Sequence, residues 1–321
     1  MSAPGPFAGT ASAAAAAAGA DPEALARLAT LTLRANRVVE GVLTGLHRSP
    51  HHGSSIEFAE HKEYAPGDDI RHVDWKVYGR ADRFYLKKFE DETNLRAFLV
   101  VDVSGSMGYP DAGGGAAGAA GAAGTARLTK LAYASVMAAA LAHLLVRQHD
   151  AVGLLTFGEK PATFLPPRAA TGYLVNVLGA LDQARPAGKT DLAAAIAFLA
   201  ETARRRAAIL LFTDLWHERE AALAGLRQLA ARRHDVSLFH VLDPDELHFP
   251  FEGLARFRSL EADDEVLADP LALRAEYLSA LGEHLAAVKR GCQEAGVDYR
   301  LCDTARPPVD VLLDFLSARS R

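Results

Sequence analysis

One thirteen-residue stretch limits the fold of this chain more than any other: Arg96-Ala97-Phe98-Leu99-Val100-Val101-Asp102-Val103-Ser104-Gly105-Ser106-Met107-Gly108. Ala97 to Val101 run apolar without a break. That is the composition of a strand buried on both faces of a parallel sheet, not of an alternating strand with one wet face. The run stops at Asp102, a carboxylate that such a strand tolerates only at its end. Ser104 and Ser106 follow at alternate positions, and Gly105 between them lets the backbone turn. One carboxylate and two hydroxyls therefore meet at the carboxyl end of a central strand, where open α/β sheets place their ligands.

Aspartate and serine oxygens are hard ligands, and a small cluster of them suits Mg²⁺ or Mn²⁺ better than zinc. The pattern Asp102-x-Ser104-x-Ser106 after an apolar strand resembles the first loop of the metal-ion-dependent adhesion site (MIDAS) of von Willebrand factor A domains. Alone, it fits a polar turn capping the next helix equally well. Further loops must bring oxygens of their own before a cation is favoured.

A chain of 321 residues, half of them hydrophobic, has room for one large domain with a sizeable core and a small appendage. Thirty-five basic residues against 40 acidic ones leave a net charge of −5, which argues against a nucleic-acid-binding surface. The two cysteines, Cys292 and Cys302, lack metal-ligand spacing and read as reduced cytosolic thiols. The first basic residue is Arg27, so the amino terminus lacks a secretory start. The Ala-rich start is broken by Gly and Pro, and the longest uncharged apolar stretch elsewhere, Leu131 to Val146, contains His143 and is shorter than the roughly 18 residues of a membrane span. These features predict a soluble, cytoplasmic protein without membrane insertion.

Residues 1–20 are mostly Ala, Gly, Ser and Pro and predict a disordered tail. Asp21-Pro22-Glu23 starts a helix that runs through Leu25, Leu28, Leu31 and Leu33 towards Leu43. The segment 21–95, this helix plus a charged and aromatic stretch, is expected to pack on the main domain, 96–320. Five of the twelve histidines lie between His47 and His72, none at zinc-site spacing. Basic and acidic residues balance at eight each from Lys62 to Arg96, which suits a salt-bridged fold. Arg83 to Phe89 reads as an edge strand protected by lysines.

Tyr64-x-Pro66-Gly67-Asp68-Asp69-x-Arg71-x-x-Asp74-Trp75, then Phe84-Tyr85 and Phe89-Glu90, lead into Val101-Asp102-x-Ser104-x-Ser106-Met107. In order and distance these motifs resemble the bacterial "domain of unknown function 58" family, over roughly residues 36–320. The resemblance implies a von Willebrand A-like domain and a partner, since such proteins are typically encoded beside MoxR-type AAA+ ATPases. The role of the first motif is unknown in that family; Tyr64 and Trp75 read as core anchors of their segment or as a second partner surface.

Beyond Met107 lies a Gly/Ala run, 111–124, expected to be a flexible insertion. It contains Gly113-x-Gly115-x-x-Gly118, but that match neither closes on a strand nor has an acid 20 residues on, where Ala138 stands. Then follow a helix from Arg127 to Arg147, a strand from Ala151 to Phe157, and a short strand at Thr163-Phe164-Leu165 ended by Pro166-Pro167. A helix is expected at Tyr173 to Leu181 and another from Leu192 to Arg204. Thr190 stands where the second metal loop of a von Willebrand A domain places its threonine; Thr190 or Asp191 also suits a helix cap. Gly188-Lys189-Thr190 is no P-loop, because Gln183 replaces the required glycine and no strand precedes it. The strand Ala207 to Phe212 ends in Thr213-Asp214, and Asp214 matches the third-loop aspartate.

A helix from Glu218 to Arg233 and a strand from Val236 to Leu242 come next. Asp243-Pro244-Asp245-Glu246 and Phe249-Pro250-Phe251 resemble the same family. A small hairpin at Arg256 to Leu267, a helix from Asp269-Pro270 to Ala295 stopped by Gly296, a strand from Val297 to Cys302 and a terminal helix from Val309 to Ser317 complete the chain. Strands alternate with helices, which predicts a doubly wound, mostly parallel α/β sheet.

Asp102, Thr190 and Asp214 thus stand at three junctions that one topology brings together. In the von Willebrand A-like arrangement Ser104, Ser106 and Thr190 offer hydroxyls to Mg²⁺ or Mn²⁺, and Asp102 and Asp214 bind directly or through water. The ion keeps an outward vacancy for an acidic residue of a client protein. An enzyme is the weaker reading: a phosphohydrolase of the haloacid dehalogenase type needs a second aspartate where Ser104 stands, and Ser106 has no base placed near it. The expected function is metal-dependent protein–protein interaction beside a MoxR-type ATPase, in protein assembly or maturation. A Mg²⁺-dependent phosphohydrolase is the alternative.

Overall fold

The computed structural model describes residues 22–48, 61–63, 85–87, 95–110, 127–216 and 219–319. The Ala-rich start, the Gly/Ala run 111–124 and the motif residues Tyr64, Pro66, Gly67, Asp68, Asp69, Arg71, Asp74 and Trp75 lie outside them. The chain divides into two units, with boundaries at Leu46/His47 and Asn94/Leu95. In the smaller unit, β1 (His61–Glu63) pairs antiparallel with β2 (Tyr85–Lys87), the middle of the expected edge strand.

The larger unit is built on β3 (Arg96–Asp102). Its apolar run is buried on both faces because β4 (Ala151–Phe157) flanks it on one side and β6 (Ala208–Thr213) on the other, both parallel. With β5 (Pro161–Arg168), β7 (Asp235–Leu242) and β10 (Asp298–Asp303), the sheet has the order β10-β7-β6-β3-β4-β5. All neighbours are parallel except β5, which is antiparallel to β4. The fold is therefore the doubly wound, mostly parallel α/β sheet that the sequence predicts.

Alternate strand residues feed two cores. Leu99, Val101, Leu210 and Phe212 face helices α1 (Pro22–Arg48), α2 (Lys130–Arg147) and α3 (Leu174–Gln183), together with the C-terminal helix Pro308–Arg319. Phe98, Val100, Ile209 and Leu211 face α4 (Leu192–Thr202), α5 (Arg219–Ala231) and the long helix Pro270–Ala295. Each such fully buried side chain contributes about 1.5–3 kcal/mol. Leu31, Ala35, Val38, Val39 and Val42 of α1 belong to the first core, so this helix, up to Leu46, is part of the larger unit. Among the described residues α2 is the one helix long and apolar enough to cross a membrane, and 67% of it is buried within the fold.

Two expectations need correction. The strand at Thr163 does not stop at Pro166-Pro167 but runs from Pro161 to Arg168. It lies at the sheet edge, where a missing N–H costs no ladder bond, so the prolines are tolerated. Asp243-Pro244-Asp245-Glu246 does more than end β7. Asp243 caps a short helix, α6 (Pro244–His248), with a reciprocal capping box closed by Glu246. Strands β8 (Ala255–Arg258) and β9 (Glu265–Ala268) form the expected hairpin, which pairs only with itself.

Candidate functional site

The chain leaves β3 for β4 and β5 on one side and returns to β6 on the other, so the strand order reverses between β3 and β6. A crevice opens at such a switch point beyond the strands' carboxyl ends. Val101 pairs with Phe212 in register, which brings the next residues, Asp102 and Thr213, side by side.

Asp102 is the centre of a hydroxyl cluster. Its Oδ1 accepts from the Ser104 amide at 2.9 Å. Its Oδ2 accepts from Thr213 Oγ1 at 2.7 Å and Thr190 Oγ1 at 3.1 Å. Ser104 and Ser106 hold their hydroxyls 3.1 Å apart. The first and second loops are zippered by backbone bonds, Gly105 N–H to Gly188 O at 2.8 Å and Ala187 N–H to Val103 O at 2.9 Å. The helix cap falls to Asp191, whose Oδ1 accepts from the Ala194 amide at 2.8 Å, which leaves Thr190 to face Asp102. Sequence reasoning missed Thr213. Its signal was its place beside Asp214 at the end of a buried strand.

Asp214 is fully buried and split between two environments. Its Oδ2 accepts from Lys130 Nζ at 2.7 Å, while Oδ1 is buried without a hydrogen-bond partner. Its carbonyl oxygen can only accept, so His240 Nε2 donates to it at 2.7 Å, and Nδ1 then accepts from Tyr299 at 3.1 Å. Burial pushes the His240 imidazole down to about 4, which keeps it neutral and fixes that tautomer. Leu215, next in the chain, is buried at a φ of +47°, a left-handed conformation that a branched side chain rarely adopts. Strain of that kind concentrates at functional sites.

Lys130 is the larger surprise. It opens α2, is fully buried, and lies 2.7 Å from Asp214 and 2.6 Å from Glu246. Burial disfavours its ammonium, yet the two carboxylates outweigh that and hold its pKa above the usual lysine range. Glu246 Oε1 also accepts from Trp216 Nε1 at 3.1 Å. Asp245 accepts bidentately from Arg127, at 3.1 and 2.6 Å, and from Tyr109 at 2.9 Å. No periodicity reveals such a partnership, because Lys130 and Glu246 are 116 residues apart.

Charge is balanced differently around Asp102. Burial first, and the nearby Asp214 second, push its carboxyl up to about 6. Only hydroxyls and one amide answer it. The donor set is all oxygen, with three hydroxyls in its reach and an orphaned carboxylate oxygen on Asp214, and this composition fits a hard divalent cation. Ser106 and Thr190 are half-buried, and the rest of the cluster lies deeper. Asp102 and Ser104 have no exposed surface, and a Cβ on Gly105 would collide with the carbonyl oxygen of Leu260, at the tip of the β8–β9 hairpin.

The chain is similar to several known proteins. The model of the family described as "Protein of unknown function DUF58" matches residues 60–287. The chain belongs to this family. An uncharacterized protein of Mycobacterium tuberculosis is 29% identical over 311 residues, 94% of this chain and 91% of its own length. A counterpart in Mycobacterium bovis matches equally. Among solved structures, the conserved hypothetical protein BatB of Bacteroides thetaiotaomicron is similar at 14% identity and a TM-score of 0.44, covering 70% of this chain and 98% of that one. The SpRpn10 von Willebrand A domain is similar at 9% identity and a TM-score of 0.38, covering 68% and 93%.

Proposed function

We propose that this DUF58 protein is a non-enzymatic, divalent-cation-dependent docking module. Ser104, Ser106 and Thr190 would offer hydroxyl oxygens to Mg²⁺ or Mn²⁺, and Asp102 and Asp214 would bind directly or through water. The cation would supply the positive charge that Asp102 lacks and leave a position for an acidic residue of a client. The observation that carries this reading is the buried, unbonded Oδ1 of Asp214 beside an Asp102 answered only by neutral donors. Lys130 holds the other oxygen of Asp214, so one carboxylate serves the fold and the site together.

The family resemblance supports a MoxR-type AAA+ ATPase as working partner, in assembly or maturation of other proteins, and an ATP-driven partner implies the cytoplasm. A phosphohydrolase gains no support: Ser104 stands where that chemistry needs a second carboxylate. The test is titration with Mn²⁺, read by electron paramagnetic resonance, followed by capture of a MoxR-type ATPase and of acidic clients with and without chelator. Wild type should bind one Mn²⁺ and lose its clients in chelator. Mn²⁺ binding unchanged in Asp102→Ala, or phosphate release that Asp102→Ala abolishes, would overturn the proposal.

A further inference from the structure

The β8–β9 hairpin stands apart from the rest of the larger unit. Every residue of β4 and β6 is buried, whereas β8 and β9 contain no buried residue, and Val266 and Leu267 are 59% and 63% exposed. Its connecting turn is closed by its own bonds: Ser259 N–H donates to Asp264 O at 2.8 Å, and Ser259 Oγ accepts from Glu261 and Ala262 at 3.2 and 3.0 Å. Phe257, two residues before the turn, anchors β8 by stacking on Phe249 at 5.6 Å. Arg274 braces the preceding segment by donating to the carbonyls of Phe249 and Phe251.

The tip, in contrast, rests on the first oxygen loop. Leu260 presents its carbonyl to Gly105, between the two serines, at a place where any side chain would collide. Leu260 and Glu261 also wall a cavity of about 410 Å³ that reaches Ser106, Tyr109, Asp245 and Glu246, with Arg258 at its wall and phenylalanine and tyrosine rings lining much of the rest. A carbonyl carries no charge, and a partly exposed turn with little burial opens at low free-energy cost.

We infer that the Ser259–Asp264 turn is a displaceable cover lying where a partner's acidic segment would dock. The partner half of this inference rests on the docking reading above; the cover does not. In the closed state Leu260 and Glu261, an apolar residue followed by an acid, occupy the approach to Ser106. A client segment of like chemistry, an apolar side chain that fits among the rings of the cavity beside a carboxylate within reach of Ser106, takes their place once the turn swings away from the first oxygen loop.

The test is a thiol introduced as Ser106→Cys in the full chain and labelled with a soluble maleimide. Cys292 and Cys302 are buried, with thiols pushed up to about 12, so their background labelling is slow. Arg258 pairs with Glu265, so replacing Ser259–Asp264 by Asn-Gly closes a two-residue hairpin and removes the cover. Labelling should accelerate tenfold or more in that background. It should also accelerate with Gly105→Ala, whose methyl pushes Leu260 away and which guards against misfolding of the shortened hairpin. Equal labelling rates in all three backgrounds would overturn the cover. Mn²⁺ titration of the shortened hairpin with Ser106 intact separates the two claims: faster labelling without Mn²⁺ binding retires the docking reading alone, and Mn²⁺ binding with unchanged labelling retires the cover alone.

Discussion

Two acidic clusters share the carboxyl edge of one sheet, and they differ in what neutralises them. Around Glu246, Asp245 and one oxygen of Asp214, the chain provides its own cations, Lys130 and Arg127, in contact at 2.6–2.7 Å. Around Asp102 it provides only hydroxyls and an amide. The first cluster is complete as folded and reads as structure. The second keeps a buried carboxylate out of its ordinary range, pushed up to about 6, and reads as a place for a charge from outside. Neighbouring carboxylates at one edge therefore need not share a role; the identity of their donors separates them.

The sharpest way to break this contrast is Lys130→Met. If the lysine is the internal cation, its loss strands Asp214 and Glu246 in the interior and should lower stability by about 3–5 kcal/mol in urea unfolding. A change below about 1 kcal/mol would mean that those carboxylates were never dependent on it. Asp102→Ala makes the complementary cut. It should weaken Mn²⁺ binding a hundredfold or more, about 3 kcal/mol, while the circular dichroism spectrum and unfolding cooperativity stay near wild type.

A pH series refines the picture at the hinge between the clusters. His240 is held neutral, its folded pKa of about 4 lying below the ordinary 6.5. A depressed base adds stability above its unfolded pKa and loses it as pH falls from about 6.5 towards 4, because the unfolded chain takes up the proton first. Asp102, raised to about 6, pulls the other way in that window, so the His240 effect is read as a difference. As pH falls, the wild-type urea midpoint should lose ground relative to that of His240→Gln. An identical pH dependence in both proteins would remove His240 from the account. The smallest effect belongs to Arg127→Ala. Its partly exposed bidentate pair with Asp245 should cost about 1–2 kcal/mol and leave Mn²⁺ affinity unchanged, which separates the internally neutralised cluster from the cation site.

Much of the candidate site was legible because it is written at strand ends. Asp102 and Asp214 each follow an unbroken apolar run, and a run buried on both faces can end in a carboxylate only at its edge. Thr190 was readable as a helix entry, although Asp191 turned out to make the cap. Lys130 and Glu246 were not readable as a pair: on a linear chain one is a helix start and the other a loop acid. The hairpin was placed correctly, but no local pattern says where its tip rests.

The sequence alone determined the layers. Five consecutive apolar residues have no exposed face to offer, so β3 had to be central, and its neighbours and their helices follow from the same demand for burial on both sides. Only the tertiary structure decided the electrostatics. Which carboxylate meets Lys130, which meets hydroxyls, and which loop lies over Gly105 depend on contacts between residues more than 80 positions apart. Charge pairing is a matter of a few ångströms in a poorly screened interior, and chain order carries no record of that distance.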